Sequence, residues 1–152
     1  MIKTKRLVIK SLTADNDGQV AKLVSDSQLL AAAHLTFSTY PVTSFELNLF
    51  LQSVHVYGIY QQQLIGLLLL DWVADADPPA LELGYLLCRQ MWGKGIMTEA
   101  VAGLLQTVHA PIIATTDDNN YRSQHVLQKN GFTIASHATG QIVWHKSACT
   151  VC

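Results

Sequence analysis

A chain of 152 residues, 49% hydrophobic and only 14% charged, has enough apolar material to bury a core and too little charge to stay disordered. Its net charge of -1 gives no general pull toward nucleic acid or an anionic membrane, so any anion site must be built locally. The longest apolar run, Leu64 to Leu70, is far too short to cross a bilayer, and the opening MIKTKRLVIK has no apolar segment behind it, which implies a cytoplasmic protein.

Arg6 to Lys10 alternates as a first strand does, and Ser11-Leu12-Thr13-Ala14-Asp15 offers a cap for a helix carrying Val20, Leu23 and Val24. Leu29 to Tyr40 reads as a connection of mixed polarity. After Pro41, Thr43 or Ser44 caps a second short helix, with Phe45, Leu49 and Phe50 inward and Glu46 near the positive end of its dipole. Val54 to Tyr60 and Leu64 to Asp71 form a hairpin across Gln61-Gln62-Gln63, and Asp75 to Pro79 turns the chain into a third strand, Leu81 to Leu87. Short connections make the three antiparallel.

That third strand and its sequel carry the most information. Glu82 and Gly84 interrupt an otherwise apolar run, and a glycine there suggests a bulge or a close backbone approach, either of which leaves amides in want of a partner. Gly93 and Gly95 flank Lys94, and from Ile96 the apolar residues Met97, Ala100, Val101, Leu104, Leu105 and Val108 recur at helical spacing. A glycine-bearing bend feeding a helix N-terminus suits a phosphate, because backbone amides can come close and the helix start adds partial positive charge. Neither the P-loop pattern nor the dinucleotide pattern fits, since Gly93-Lys94-Gly95 is followed by Ile96-Met97-Thr98. Taken alone, the bend reads first as a tight strand-to-helix turn.

The helix and the next strand, Pro111 to Thr116, suggest a parallel crossover and hence a mixed sheet. In Asp117 to Phe132, DDNNYRSQHVLQKNGF, Asn120 is an N-cap, Val126 and Leu127 give an inward face, and Asn130-Gly131 ends the helix. Phe132 to Ser136 and Gln141 to Lys146 close the chain as a hairpin. No repeat, low-complexity linker or second domain interrupts residues 1–152, which read as one domain. Cys88, Cys149 and Cys152 make no disulfide framework; Cys149 and Cys152 are spaced as C-x-x-C without a second ligand pair, and Cys88 reads first as a small apolar strand-end residue.

Two motifs, E-L-G-Y-L-L followed by W-G-K-G-I-M-T-E-A, and N-x-x-S-x-x-V-L-x-K-x-G-F on Asn120, Ser123, Val126, Leu127, Lys129, Gly131 and Phe132, together resemble the GNAT superfamily of N-acetyltransferases. The likeness is to its ribosomal-protein N-terminal acetyltransferase branch and covers about half the chain. It implies an α/β (α+β) fold: a mixed, mostly antiparallel sheet, flanked by about four helices and splayed at the cofactor-binding strand. The family signature Q/R-x-x-G-x-G/A can be laid on Gln90 to Gly95 or on Trp92 to Met97; in the second frame Trp92 and Met97 replace the usual residues.

What the resemblance implies for chemistry is acetyl-CoA as co-substrate, no metal, and an amine acceptor, with no role for nucleic acid or membrane and room for a homodimer. A backbone N–H freed at Leu86, Leu87 or Cys88 would polarise the thioester carbonyl, and the amides of Trp92, Gly93, Lys94, Gly95, Ile96 and Met97 would hold the pyrophosphate. Arg89, Lys94 and Arg122 are candidates for the outer phosphates or plain solvated charges; Asn120 is a cap, a cofactor contact or both. Ser123 stands where relatives place a group near the thiolate, or else it bonds its own helix. Glu82 is the expected general base, its pKa raised by an apolar strand, with Asp71 in reserve. His34 and His55 fall in the acceptor half without ligand spacing. That half is poor in carboxylates, which fits a terminal α-amine or small amine better than lysine. The alternative is a CoA-binding sensor or interaction domain that has lost catalysis, suggested by Trp92, Met97 and the uncertain base.

Overall fold

The computed structural model describes residues 1–148, so Cys149 and Cys152 lie outside the described residues. Its strands are β1 (Ile2–Lys3), β2 (Val8–Ser11), β3 (His55–Gln61), β4 (Gln63–Trp72), β5 (Leu81–Leu87), β6 (Ile112–Asp117), β7 (Thr133–Ala138) and β8 (Gln141–Lys146). They form one sheet in the order β1-β2-β3-β4-β5-β6-β8-β7, antiparallel throughout except between β5 and β6. The helices are α1 (Asp17–Leu23), α2 (Ser27–Ala32), α3 (Ser44–Ser53), α4 (Ile96–Leu105) and α5 (Tyr121–Lys129). This is the mixed, mostly antiparallel α/β architecture expected from the sequence.

The apolar run in β4 explains the layering. Residues 65–70 are all buried, which requires cover on both sheet faces. Leu67 and Leu69, with Leu86 of β5, join Val20, Leu30 and Leu47 in a core beneath α1, α2 and α3. Leu68 and Leu70, with Leu83 and Leu87 of β5, join Ala100, Val101 and Leu104 in a second core beneath α4.

Three expectations need correction. The stretch read as a connection from Leu29 to Tyr40 begins inside α2, a helix of six residues, too short to show periodicity. Asp26 starts it by accepting hydrogen bonds from the Gln28 and Leu29 amides at 3.1 and 3.2 Å. In α3, capped by Thr43 as expected, Leu47 and Leu51 are the buried pair, while Phe45 and Leu49 are exposed and Phe50 is half-buried edge-on against Phe37. A helix apolar on several sides leaves the inward stripe undecided until it docks. Finally, Gly84 makes no bulge: the β4–β5 register runs unbroken from Trp72 opposite Leu81 to Gly66 opposite Leu87.

The sheet nevertheless parts. β5 pairs with β6 only at Leu81 with Ile112 and Glu82 with Ile113. Beyond them β5 keeps its full ladder with β4, and β6 keeps its full ladder with β8. Two internally complete half-sheets thus twist away from a short shared root. The close approach expected of a strand glycine belongs to Gly66, where a Cβ would stand 2.7 Å from the Leu86 carbonyl oxygen; at Gly84 the nearest atom would be an ordinary 3.4 Å away.

Candidate active site

A cleft of about 1200 Å³ opens at this fork, between the ends of β5 and β6 and the N-termini of α4 and α5. The ladder decides which amides face it. Cys88 N–H donates to Ile65 C=O at 2.9 Å. Alternate residues of an antiparallel strand bond the same neighbour, so Leu86 is likewise directed at Leu67 in β4, and Leu87 between them turns toward the side that β6 has left. Its C=O accepts the Trp92 indole N–H at 2.9 Å, and its N–H faces the cleft.

The bend after β5 meets the cleft with bare backbone. Gly93 and Gly95 hold φ at +74° and +72°, conformations that favour glycine. Gly95 leads into α4 with no side-chain cap, so the first amides of the helix, Ile96 to Thr98, lack partners within it. With the positive end of the helix behind them, and with Arg122 and Lys129 of α5 on the same cleft, they fit a pyrophosphate and its outer phosphates.

Arg6 fixes this bend from far away in sequence. It donates through Nη1 to the Lys94 carbonyl at 2.9 Å and through Nε to the Glu99 carboxylate at 2.6 Å. Burial pushes the Glu99 carboxyl up, but hydrogen bonds from Thr4 and Arg6 outweigh it and hold the group below the usual range. A negative charge in the first turn of α4 is thereby neutralised beside the uncapped amides.

Ser123, in the first turn of α5, donates its amide to the capping Asn120 side chain at 3.3 Å. Its hydroxyl lies 2.7 Å from the Tyr85 hydroxyl, which also reaches the Ser123 carbonyl at 3.1 Å. Burial pushes the Tyr85 phenol up to about 12, the Ser123 bond working weakly the other way. Trp92 gathers charge around its ring, with the Arg122 guanidinium 3.7 Å and that of Arg89 5.5 Å from the centroid.

Helix α2 crosses the open end of the fork. At its start the Asp26 carboxylate accepts from Arg89 Nε and Nη2 at 2.6 and 2.9 Å, and the Arg89 bond holds its pKa down at about 2. Just past its other end, His34 Nε2 stands 3.0 Å from Asp117 Oδ1 at the tip of β6. Leu29, Ala32 and Ala33 face the cleft between the two ties.

Of the residues singled out from sequence, Leu86, Leu87, Trp92, Gly93, Gly95, Ile96, Met97, Asn120 and Ser123 line one cleft. Cys88 does not, its amide being spent on Ile65, and Lys94 contributes only a carbonyl held by Arg6. Glu82 is exposed at the closed root of the fork, opposite Asp71, so the burial expected to tune it is absent. His55 lines a separate small hollow with Trp72 and His109. Tyr85, Arg6 and Asp117 were missed. Tyr85 was legible as the residue two before Leu87, hence on the same side of β5; Arg6 had no local signal, its partners lying 88 and 93 residues away. Among the described residues no three His, Cys, Asp or Glu side chains cluster as metal ligands would, and no helix is long and apolar enough to cross a membrane.

The family described as acetyltransferase (GNAT) domain matches residues 6–133. No curated protein matches the chain in sequence. Among solved structures, the ribosomal-protein-S5-alanine acetyltransferase from Vibrio fischeri superposes with a TM-score of 0.80 at 18% identity, covering 97% of this chain and 96% of that one. RimL, a ribosomal L7/L12 α-N-protein acetyltransferase in complex with coenzyme A, gives 0.78 at 17% identity over 95% and 96%. The aminoglycoside acetyltransferase AAC(6')-Ib in complex with coenzyme A gives 0.75 at 17% over 94% and 95%. At such identities the likeness is one of fold.

Proposed function

The chain belongs to the acetyltransferase (GNAT) domain family, and from that premise we propose that it is a cytoplasmic, single-domain N-acetyltransferase that moves an acetyl group from acetyl-CoA to a primary amine by direct attack in a ternary complex. The observation that carries this reading is the Leu87 N–H, turned into the fork beside the uncapped start of α4. When bound, acetyl-CoA supplies a thioester carbonyl as electrophile and a thiolate as leaving group. The amides from Gly95 to Thr98, with the α4 dipole, hold the pyrophosphate, and Arg122 and Lys129 neutralise what lies outside it. Leu87 N–H donates to the carbonyl oxygen as negative charge develops there. The same peptide unit carries the Leu86 C=O, directed at Leu67 in β4, which polarises the N–H further.

Ser123 Oγ donates a hydrogen bond to the departing sulfur. Glu82, exposed outside the cleft, receives the proton of the amine only through water, so its replacement by glutamine costs less than loss of Ser123. At the far end the wall is Leu29, Ala32 and Ala33, and the carboxylate beside it, Asp117, is engaged by His34, so neither is set out to hold a lysine cation. An α-amine, with a pKa of about 8, already has a neutral fraction near pH 7 and suits such a wall. The acceptor is accordingly a peptide or protein N-terminus or a small amine. The test is release of free thiol from acetyl-CoA across a panel of N-terminal peptides, small amines and peptides with only internal lysines. Acceptor-dependent release with the first two supports the reading. Binding of acetyl-CoA without release assigns a sensor, and modification of internal lysines alone overturns the acceptor class.

A further inference from the structure

We propose that Tyr85 is a positioning residue for the leaving group: its hydroxyl and that of Ser123 form a two-hydroxyl relay that delivers a hydrogen bond to the departing thiolate. The inference rests on the reading of Ser123 given above and adds to it a residue that the cleft places behind the serine. Tyr85 has one hydroxyl proton and two acceptors on Ser123, the carbonyl at 3.1 Å and Oγ at 2.7 Å. When Tyr85 donates to the carbonyl, its oxygen takes the Ser123 hydroxyl hydrogen, and Ser123 offers nothing to the cleft. When Tyr85 instead donates to Oγ, the Ser123 hydrogen is free to point at a sulfur. Rotation of two O–H bonds interconverts the states with no heavy-atom movement.

The placement suits this use. Tyr85 and Leu87 project from the same side of β5, two residues apart, so one rigid strand carries both the carbonyl polariser and the support for the leaving group. Ser123 makes no hydroxyl bond to its own helix; its amide is occupied by Asn120, which fixes the first turn of α5. The balance is simple. The acceptor nitrogen forms the C–N bond and gives its proton through water to Glu82, the C–S bond breaks, and the sulfur leaves as a thiolate accepting from Ser123 Oγ. Both hydroxyls keep their protons, consistent with a phenol that burial keeps neutral at working pH.

The experiment is a double-mutant cycle with Tyr85→Phe and Ser123→Ala, reading kcat and the KM for acetyl-CoA, with Ser123→Thr as a third background. Each single change is expected to lower kcat about tenfold with KM moved less than about twofold. In the relay, Tyr85→Phe has no further effect once Ser123 is alanine, and its effect returns when Ser123 is threonine. Equal losses from Tyr85→Phe in the alanine and threonine backgrounds, or an unchanged kcat in Tyr85→Phe alone, overturn the relay. An acetyl-CoA thermal shift in Tyr85→Phe matching that of the unaltered protein excludes misfolding as the cause of the loss. If the unaltered protein shows no acceptor-dependent thiol release, the proposed activity fails first and the relay with it.

Discussion

Glu99 shows how one carboxylate can be either an obstacle or a brace where uncapped helix amides suit an anion. It sits in the first turn of α4 on the cleft, where an unpaired negative charge would repel a phosphate. Arg6 converts it into a strut that also holds the Lys94 carbonyl and so the bend. Arg6→Ala is expected to weaken acetyl-CoA binding about tenfold, or roughly 1.4 kcal/mol, by calorimetric titration. Asp26 gives a pH signature. Its folded pKa is depressed to about 2, so its contribution to stability is complete above the ordinary carboxylate value and is lost as pH falls from about 4 toward 2. Melting temperatures across that window should fall less steeply in Arg89→Met, which removes the cause of the depression. At this scale the sequence was legible where conformation is local: the bend marked by Gly93 and Gly95 is there, and both hold positive φ. It was silent on Arg6, because a side chain that bridges 93 residues leaves no spacing to read.

The elements differ in how they announce themselves. α5 carries an apolar face and a stop, α4 a clear apolar stripe whose spacing ran on to Val108 although the helix ends at Leu105, and the meander from β3 to β5 is punctuated by turns, so all were readable. α2 was not, since six residues complete fewer than two turns, and the ties that hold it come from other parts of the chain. Those ties make it a strut across the fork, secured to the turn after β5 by Asp26 and Arg89 and to β6 by His34 and Asp117. The His34 contact is exposed, and histidine is held in left-handed backbone there with φ of +56°. His34→Ala is therefore expected to raise the KM for the acceptor several-fold while changing that for acetyl-CoA little, measured by varying each substrate in turn.

For the molecule as a whole, motif order and spacing sufficed to set a mixed sheet with one parallel join. They did not give the cause of the parting. A glycine in β5 suggested a bulge, yet the register there is intact, and the fork arises from two satisfied half-sheets diverging under their own twist. This yields a test at single-amide resolution. In hydrogen exchange by NMR, Cys88 N–H should be protected with or without acetyl-CoA, because β4 holds it. Leu87 N–H should exchange quickly in the free protein and slow at least tenfold on binding.

Gly66 lies on β4, a strand behind the cleft, and bears on the one peptide plane that the proposed reaction would use. A methyl group there would collide with the Leu86 oxygen at 2.7 Å, and that oxygen and the Leu87 N–H are opposite ends of the same rigid amide. Gly66→Ala should cost about 1–3 kcal/mol in stability by overpacking, seen in denaturant melts. It should also tilt the donor off its line to the carbonyl, so that turnover drops further than the fraction of folded protein does. A substitution with no access to substrate would thus act on the rate through a lever of a single amide.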